Sequence, residues 1–210
     1  MILDNIKINK NEITEQKNKR MLQLTELKKQ NEDIVGWIEI KGTDINYPVL
    51  QTTDNEFYMT HNYKKEYSKT GSLILDKDYN WELPSTNLLI YGHNNNNKTM
   101  FQELVNYKDE SYYKKHPDIK FTTVNEDAEY EIIATFYSRV YYKNEENVFR
   151  YYYFINANNQ KEFDNYVNEC KKASIYYIDK TAKYGDQLLT LSTCSYHTEN
   201  GRFVVVARKK

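Results

Sequence analysis

Past about residue 33 the chain breaks into short apolar runs divided by Gly, Asn, Asp and Pro. "GWIEI" (Gly36–Ile40), "INYPVL" (Ile45–Leu50), "GSLILD" (Gly71–Asp76) and "NLLIYGH" (Asn87–His93) are each about one strand long and bracketed by turn residues, a pattern that predicts successive β-strands. Further strands are expected at Ile119–Thr123, Glu129–Tyr142, Gln187–Cys194 and Arg202–Arg208, the last two forming a hairpin around the loop Ser195–Gly201. Before this β texture, residues from about Asn11 to Asp33 are rich in Lys, Glu and Gln, with Ile13, Leu24 and Leu27 among the apolar positions. That spacing predicts a charged amphipathic helix, or two short ones, laid on the outside of the domain.

Three helical interruptions are expected among the strands. In "TMFQEL", Thr99 with Gln102 three residues on has the form of a capping box and predicts a short helix opening there. "SYYKKHP" predicts another turn or two, stopped by Pro117. In "QKEFDNYVNECKKAS", Phe163, Tyr166, Val167 and Cys170 follow i, i+3, i+4, i+7 spacing, which places Cys170 on a buried helical stripe as a small core hydrophobe. The four asparagines Asn94–Asn97 are the only low-complexity tract and predict a loop; no internal repeat is present.

Composition narrows the function classes. With 29 basic and 30 acidic residues in 210, the net charge is −1, no polybasic face is implied, and nucleic acid is not expected as a partner. Tyrosine is abundant, 21 residues, and its amphipathic ring and β-propensity suit barrel walls and open grooves better than a dry core. Cys170 and Cys194 form neither a disulfide framework nor a zinc signature and are expected to be unrelated thiols. No apolar run approaches the ~20 residues of a membrane helix. Met1-Ile-Leu leads straight into polar sequence without a signal peptide, so the chain as given is expected to be soluble.

Alternation along a strand turns Leu189 and Leu191 one way and Thr190, Ser192 and Cys194 the other, so Cys194 is expected at the end of a polar face beside a loop, where reactive thiols sit. On the partner strand Arg202 shares a face with Val204, Val206 and Arg208 and can approach Cys194 across the loop. A nearby cation favours thiolate, whereas a free thiol of pKa about 8.5 is only a few per cent ionised at pH 7. Four histidines compete as acid or base. His61 lies in a charged stretch, His116 precedes Pro117 at a helix end, and His197 is in the hairpin loop. His93 ends the strongest apolar strand after Gly92, a residue expected to permit a close turn, and a rigid strand is how active-site groups are usually presented. A Cys with a His and an Arg suggests acyl transfer.

"TLSTC" followed by "GRFVVVARK", with "NLLIYGHNNNNKTMFQEL" upstream, closely resembles the sortases, class B in particular, and the likeness continues through "NEDIVGWIEIKGTDINYPVLQTTDNEFYMTHNY" and "GSLILD" over most of Asn31–Arg208. The resemblance implies a mainly β fold: a closed, roughly eight-stranded β-barrel over residues 34–210, an N-terminal helical extension over 1–33, and a helix in the crossover before the cysteine strand. It also implies that Cys194 is the nucleophile, His93 the general acid/base and Arg202 the oxyanion and substrate-orienting group. Asn55 and Met59 match positions lining the family's sorting-signal groove; Ser192 should also line it, and Tyr152, within Tyr151–Tyr153, is expected in an aromatic wall.

Two departures from the family pattern stand out. Several class B members carry an acidic residue directly after the cysteine, where this chain has Ser195, and the family's N-terminal membrane segment has no counterpart here. The implied activity is cleavage of a secreted protein at a C-terminal pentapeptide with Pro second, Thr fourth and Asn or Gly last, followed by transfer to a peptidoglycan amine on the extracytoplasmic face of the membrane. No organic cofactor is implied, and no acidic loop dense enough for calcium is seen. The rivals are a cysteine peptidase with water as acceptor, separable by its products, and a non-catalytic surface barrel that binds peptide, which predicts an unreactive Cys194.

Overall fold

A computed structural model describes residues 19–210 apart from Asn96 and Lys98. Helix α1 covers residues 19–30, so Leu24 and Leu27 of the expected N-terminal helix fall in it, whereas Ile13 and residues 11–18 lie outside the described residues. Eight strands follow: β1 (Ile34–Glu39), β2 (Asn46–Leu50), β3 (Leu73–Leu75), β4 (Asn87–Gly92), β5 (Asp118–Thr122), β6 (Asp127–Arg139), β7 (Leu188–Cys194) and β8 (Gly201–Lys209). They close into one barrel in the order β1-β2-β3-β4-β7-β8-β6-β5. Helix α2 (Glu110–Lys115) ends before Pro117, and α3 (Gln160–Ala173) lies in the crossover that precedes the cysteine strand.

Two of the pairings are parallel, β2 with β3 and β4 with β7. The second governs the site. Parallel neighbours end on the same rim, so Gly92 of β4 lies beside Thr193 of β7, and His93 and Cys194 emerge together. β8 then starts from that rim and runs back antiparallel, with Arg202 directly opposite Cys194.

The barrel interior holds Leu189 and Leu191 with Phe203, Val205 and Ala207 of β8 and side chains from the remaining strands. A second cluster packs the outer face: Leu188, Val204, Val206 and Phe136 against Phe163, Tyr166, Val167 and Cys170 of α3. Asn159 caps α3, its side chain accepting from Glu162 N at 3.0 Å, while the Glu162 carboxylate accepts from Asn158 N at 3.0 Å. A third cluster joins Leu24 of α1 to Ile34, Leu50, Tyr58 and Ile74.

Three local expectations are corrected. The face of β7 bearing Thr190 and Ser192 is polar in composition but covered by α3 and the aromatic segment before it, and both residues are fully buried. Thr190 Oγ1 therefore donates to Asn87 Oδ1 at 2.9 Å, and Ser192 Oγ lies 2.6 Å from Tyr151 Oη; hydroxyls buried without such partners would cost about 1–3 kcal/mol each. The Thr99–Gln102 capping box does not form. Thr99 donates instead to Asn97 Oδ1 at 2.6 Å, and Phe101 N is drawn to His93 O at 2.9 Å. The helical turns begin later, as a 3-10 segment Gln102–Lys108, and its flanking and internal Phe101, Leu104 and Tyr107 are buried at the three-residue spacing of that helix. Gly92 has no left-handed backbone; a Cβ there would lie 2.4 Å from Leu73 Cδ2 and 2.7 Å from Phe101 Cδ2, so the glycine serves close packing rather than a turn.

Candidate active site

His93 follows β4 directly, and its position is held by the connection that leads into the neighbouring strand β3. Its Nε2 lies 2.7 Å from the carbonyl oxygen of Met59, which ends a short 3-10 turn, Phe57–Met59. A carbonyl can only accept, so Nε2 carries the hydrogen, and in the neutral ring Nδ1 is left unprotonated. The imidazole thus has an orienting partner although Ser195 stands where several class B members have a carboxylate: the partner is main chain. The other histidines are engaged elsewhere. His61 stacks on Phe57 with centroids 4.1 Å apart, His116 Nδ1 lies 2.8 Å from Lys41 O, and His197 Nδ1 lies 3.0 Å from Ser195 Oγ, its pKa lowered by burial.

Cys194 is half-buried and free of any disulfide, as is Cys170. Its own carbonyl accepts from Asn94 Nδ2 at 2.9 Å, which ties the loop after His93 to the end of the cysteine strand. Arg202 is also half-buried, and its Nη1 donates to the carbonyls of Asn200 at 3.2 Å and Gly201 at 2.9 Å. Those bonds brace the guanidinium on the loop Ser195–Gly201 and leave its other nitrogens available. The buried Tyr151 phenol lies near enough to feel both neighbours: burial pushes its pKa up most, the Arg202 charge pulls it down, and the Cys194 charge raises it.

The four expected substrate-lining residues divide. Asn55 is half-buried, Nδ2 donating to Asp76 Oδ2 at 3.0 Å and Oδ1 accepting from Lys77 N at 2.8 Å. Met59 is half-buried and meets His93 through its carbonyl. Tyr152, in the 3-10 turn Tyr151–Tyr153, is half-buried and accepts from Tyr141 N at 3.0 Å. Ser192, by contrast, does not line an open surface; at 1 % exposure it sits beneath Tyr151, a correction that follows from the covered outer face of β7.

Sequence reasoning missed Tyr91, Asp76 and Asn94. Tyr91 was findable, since period 2 puts it on the face of His93. Asp76, a lone acid ending an apolar strand, and Asn94, one of four asparagines, carry no comparable signal. Tyr91 Oη donates to Asp76 Oδ2 at 2.9 Å. Among the described residues, no group of three or more His, Cys, Asp or Glu side chains is placed to hold a metal ion.

A closed eight-stranded barrel whose parallel β4–β7 pair and β7–β8 hairpin deliver His, Cys and Arg to one rim defines a cysteine acyl-transfer enzyme. A family model described as the sortase domain matches residues 38–210, and the chain belongs to the sortase family of cysteine transpeptidases. Its relatives place it with class B. It is 33 % identical to sortase B of Listeria monocytogenes over 185 residues, covering 87 % of this chain and 72 % of that protein. The crystal structure of Clostridium perfringens sortase B superposes with a TM-score of 0.79 at 31 % identity, covering 89 % of this chain and 98 % of the other. The sortase B–substrate complex of Staphylococcus aureus gives 0.79 at 27 % identity over 99 % and 98 %. Sortases act at the cell surface, and among the described residues no helix is long and apolar enough to cross a membrane.

Proposed function

We propose that Cys194, His93 and Arg202 perform the transpeptidation in two half-reactions, a reading carried by the convergence of three strand ends on one rim. Cys194 Sγ attacks, as thiolate, the carbonyl carbon of the scissile peptide bond, and the charge that develops on the carbonyl oxygen is stabilised by the free N–H groups of Arg202. Protonated His93 gives the Nδ1 proton to the departing amine nitrogen, the C–N bond breaks, and the acyl group remains on Sγ as a thioester. An incoming amine then attacks the thioester carbonyl and yields its proton to His93 Nδ1. The new C–N bond forms, the C–S bond breaks, and the Cys194 thiolate is restored.

The acyl donor in this reading is the C-terminal sorting motif of a secreted protein, lined by Asn55, Met59 and Tyr152 with Ser192 supporting from below; the substrate complex of the Staphylococcus aureus relative supports a peptide of that kind. The acceptor is an amine of the peptidoglycan peptide, and the site of action is the extracytoplasmic face of the membrane. Residues 34–210 form the catalytic unit and residues 1–33 an extension of it. Mass spectrometry of products from a panel of Pro-second, Thr-fourth pentapeptides, with and without candidate amines, tests the reading. The expected product is the acyl–amine adduct. Hydrolysis alone, at every amine concentration, would make water the acceptor.

A further inference from the structure

We infer that Asp76 is a positioning residue for the acyl-donor peptide: its buried carboxylate sets the hydrogen-bonding polarity of Asn55 and Tyr91. This rests on the reading of the Cys194 rim as the peptide site. Asp76 follows β3 directly and is 5 % exposed. Its Oδ2 accepts from Asn55 Nδ2 at 3.0 Å and from Tyr91 Oη at 2.9 Å, and its Oδ1 accepts from Asp78 N at 2.9 Å. The neighbouring Lys77 ammonium is bonded to Asp78 at 2.7 Å, so the Asp76 side chain is held by neutral donors. A buried carboxylate needs such donors, and being an acceptor only, it dictates which way each partner's hydrogens point.

The consequence is a defined pattern on the side away from Asp76. The single hydroxyl hydrogen of Tyr91 is committed to the carboxylate, so its oxygen is left as an acceptor. Burial, and next the Asp76 charge, push the Tyr91 pKa far above its ordinary value, so the hydroxyl keeps that hydrogen. Asn55 has its Oδ1 on Lys77 N and one Nδ2 hydrogen on Asp76, which leaves one N–H as a donor. One acceptor and one donor match the alternating N–H and C=O groups along the edge of an extended peptide. Both groups flank the rim. Tyr91 is in register with Ser192 and lies two residues before His93 on its face; Asn55 lies one turn before the Met59 carbonyl that holds His93.

The test uses Asp76→Asn, which keeps the volume but exchanges an acceptor for a donor, together with Tyr91→Phe and the double variant. For each, kcat and KM are measured on a sorting pentapeptide, the alkylation rate of Cys194 with a small neutral reagent, and the peptide Kd in a Cys194→Ala background. Asp76→Asn should raise KM and Kd about tenfold, the scale of one hydrogen bond, with kcat and alkylation changing far less. Tyr91→Phe should move the same quantities, and the double variant should fall short of the sum of the two, since both break one unit. Wild-type KM and Kd in Asp76→Asn overturns the inference, as does additive behaviour or an alkylation rate that falls with cleavage. Should Asp76→Asn fail to fold, Tyr91→Phe decides alone by its KM and Kd. Peptide that binds wild type but is never cleaved would defeat the catalytic reading instead, with the Kd comparison still deciding the role of Asp76.

Discussion

Cys170 stands in the last turns of α3, buried among Phe163, Tyr166, Leu188 and Val206, whereas Cys194 ends β7 half-buried at the barrel rim. Burial pushes the Cys170 thiol well up, and a hydrogen bond from Tyr166 offsets only part of that. Nothing there welcomes a thiolate. Cys194 has the opposite setting: Arg202 lies across from it in register, and solvent reaches its side. Under the proposed reading the contrast teaches that reactivity belongs to the strand end rather than to the residue type, because a thiolate needs both access and a nearby positive charge.

The sharpest way to break that contrast is to remove each sulfur in turn. Cys194→Ala should abolish peptide cleavage, and Cys170→Ala should keep most of it; substantial turnover by the Cys194 variant would sink the assignment. Next in size is the proton carrier. His93→Ala should cost ~10²–10⁴ in kcat, the range of acid–base catalysis, while His197→Ala, a ring engaged with Ser195, should cost far less. The reverse ranking would move the acid/base into the hairpin loop.

Arg202 sharpens the comparison further, since it faces Cys194 in register whereas Cys170 packs in a cluster of apolar and aromatic side chains. Arg202→Ala should lower cleavage by ~10²–10³ through the lost oxyanion donor, and Arg202→Lys should be nearly as damaging because it loses the planar fork. Alkylation of Cys194 by a small neutral reagent forms no oxyanion and should slow much less; a parallel fall in both rates would assign Arg202 to holding the thiolate instead.

The smallest effect belongs to Cys170. Its removal leaves a small void and should cost about 1–2 kcal/mol at neutral pH. Its folded pKa is raised above the ordinary 9.0, so below pH 9 the thiol is neutral in both states and stability is unaffected. Above pH 9 only the unfolded thiol ionises, and stability falls by about 1.4 kcal/mol per pH unit from this group. Cys170→Ala should therefore lose less stability than wild type between about pH 9 and about pH 10. Tyr107 and Tyr130, also raised by burial, contribute equally in both proteins. Equal alkaline losses in denaturant titrations would show that the thiol is not sealed in solution.

Much of the site was legible in the chain because it is locally encoded. The β7–β8 hairpin needs only one short loop to set Cys194 against Arg202, and α3 announces its buried face by spacing alone. The end of the strongest apolar strand singled out His93 among the four histidines, and the family likeness then implied its partnership with Cys194. The failures share a cause as well. The Thr99–Gln102 box was a sound local signal, overridden when Phe101 and Tyr107 took up core positions and Phe101 N bonded to His93 O. Ser192 was placed on the correct face, but period 2 reports which way a side chain turns and not what covers it.

The sequence by itself determined the elements and their faces: short strands between turn residues, the helix carrying Cys170, and a thiol and a guanidinium at the two ends of one loop. Those features depend on residues a few positions apart, where backbone sterics and periodicity act. Tertiary structure alone decided what surrounds them. The parallel β4–β7 pairing brings His93 to Cys194 from about a hundred residues away, the Met59 carbonyl holds His93 from 34 residues away, and Asp76 gathers Asn55 and Tyr91 from either side. Such contacts leave no local mark, because barrel closure sets their distances and the burial it creates makes each hydrogen bond necessary.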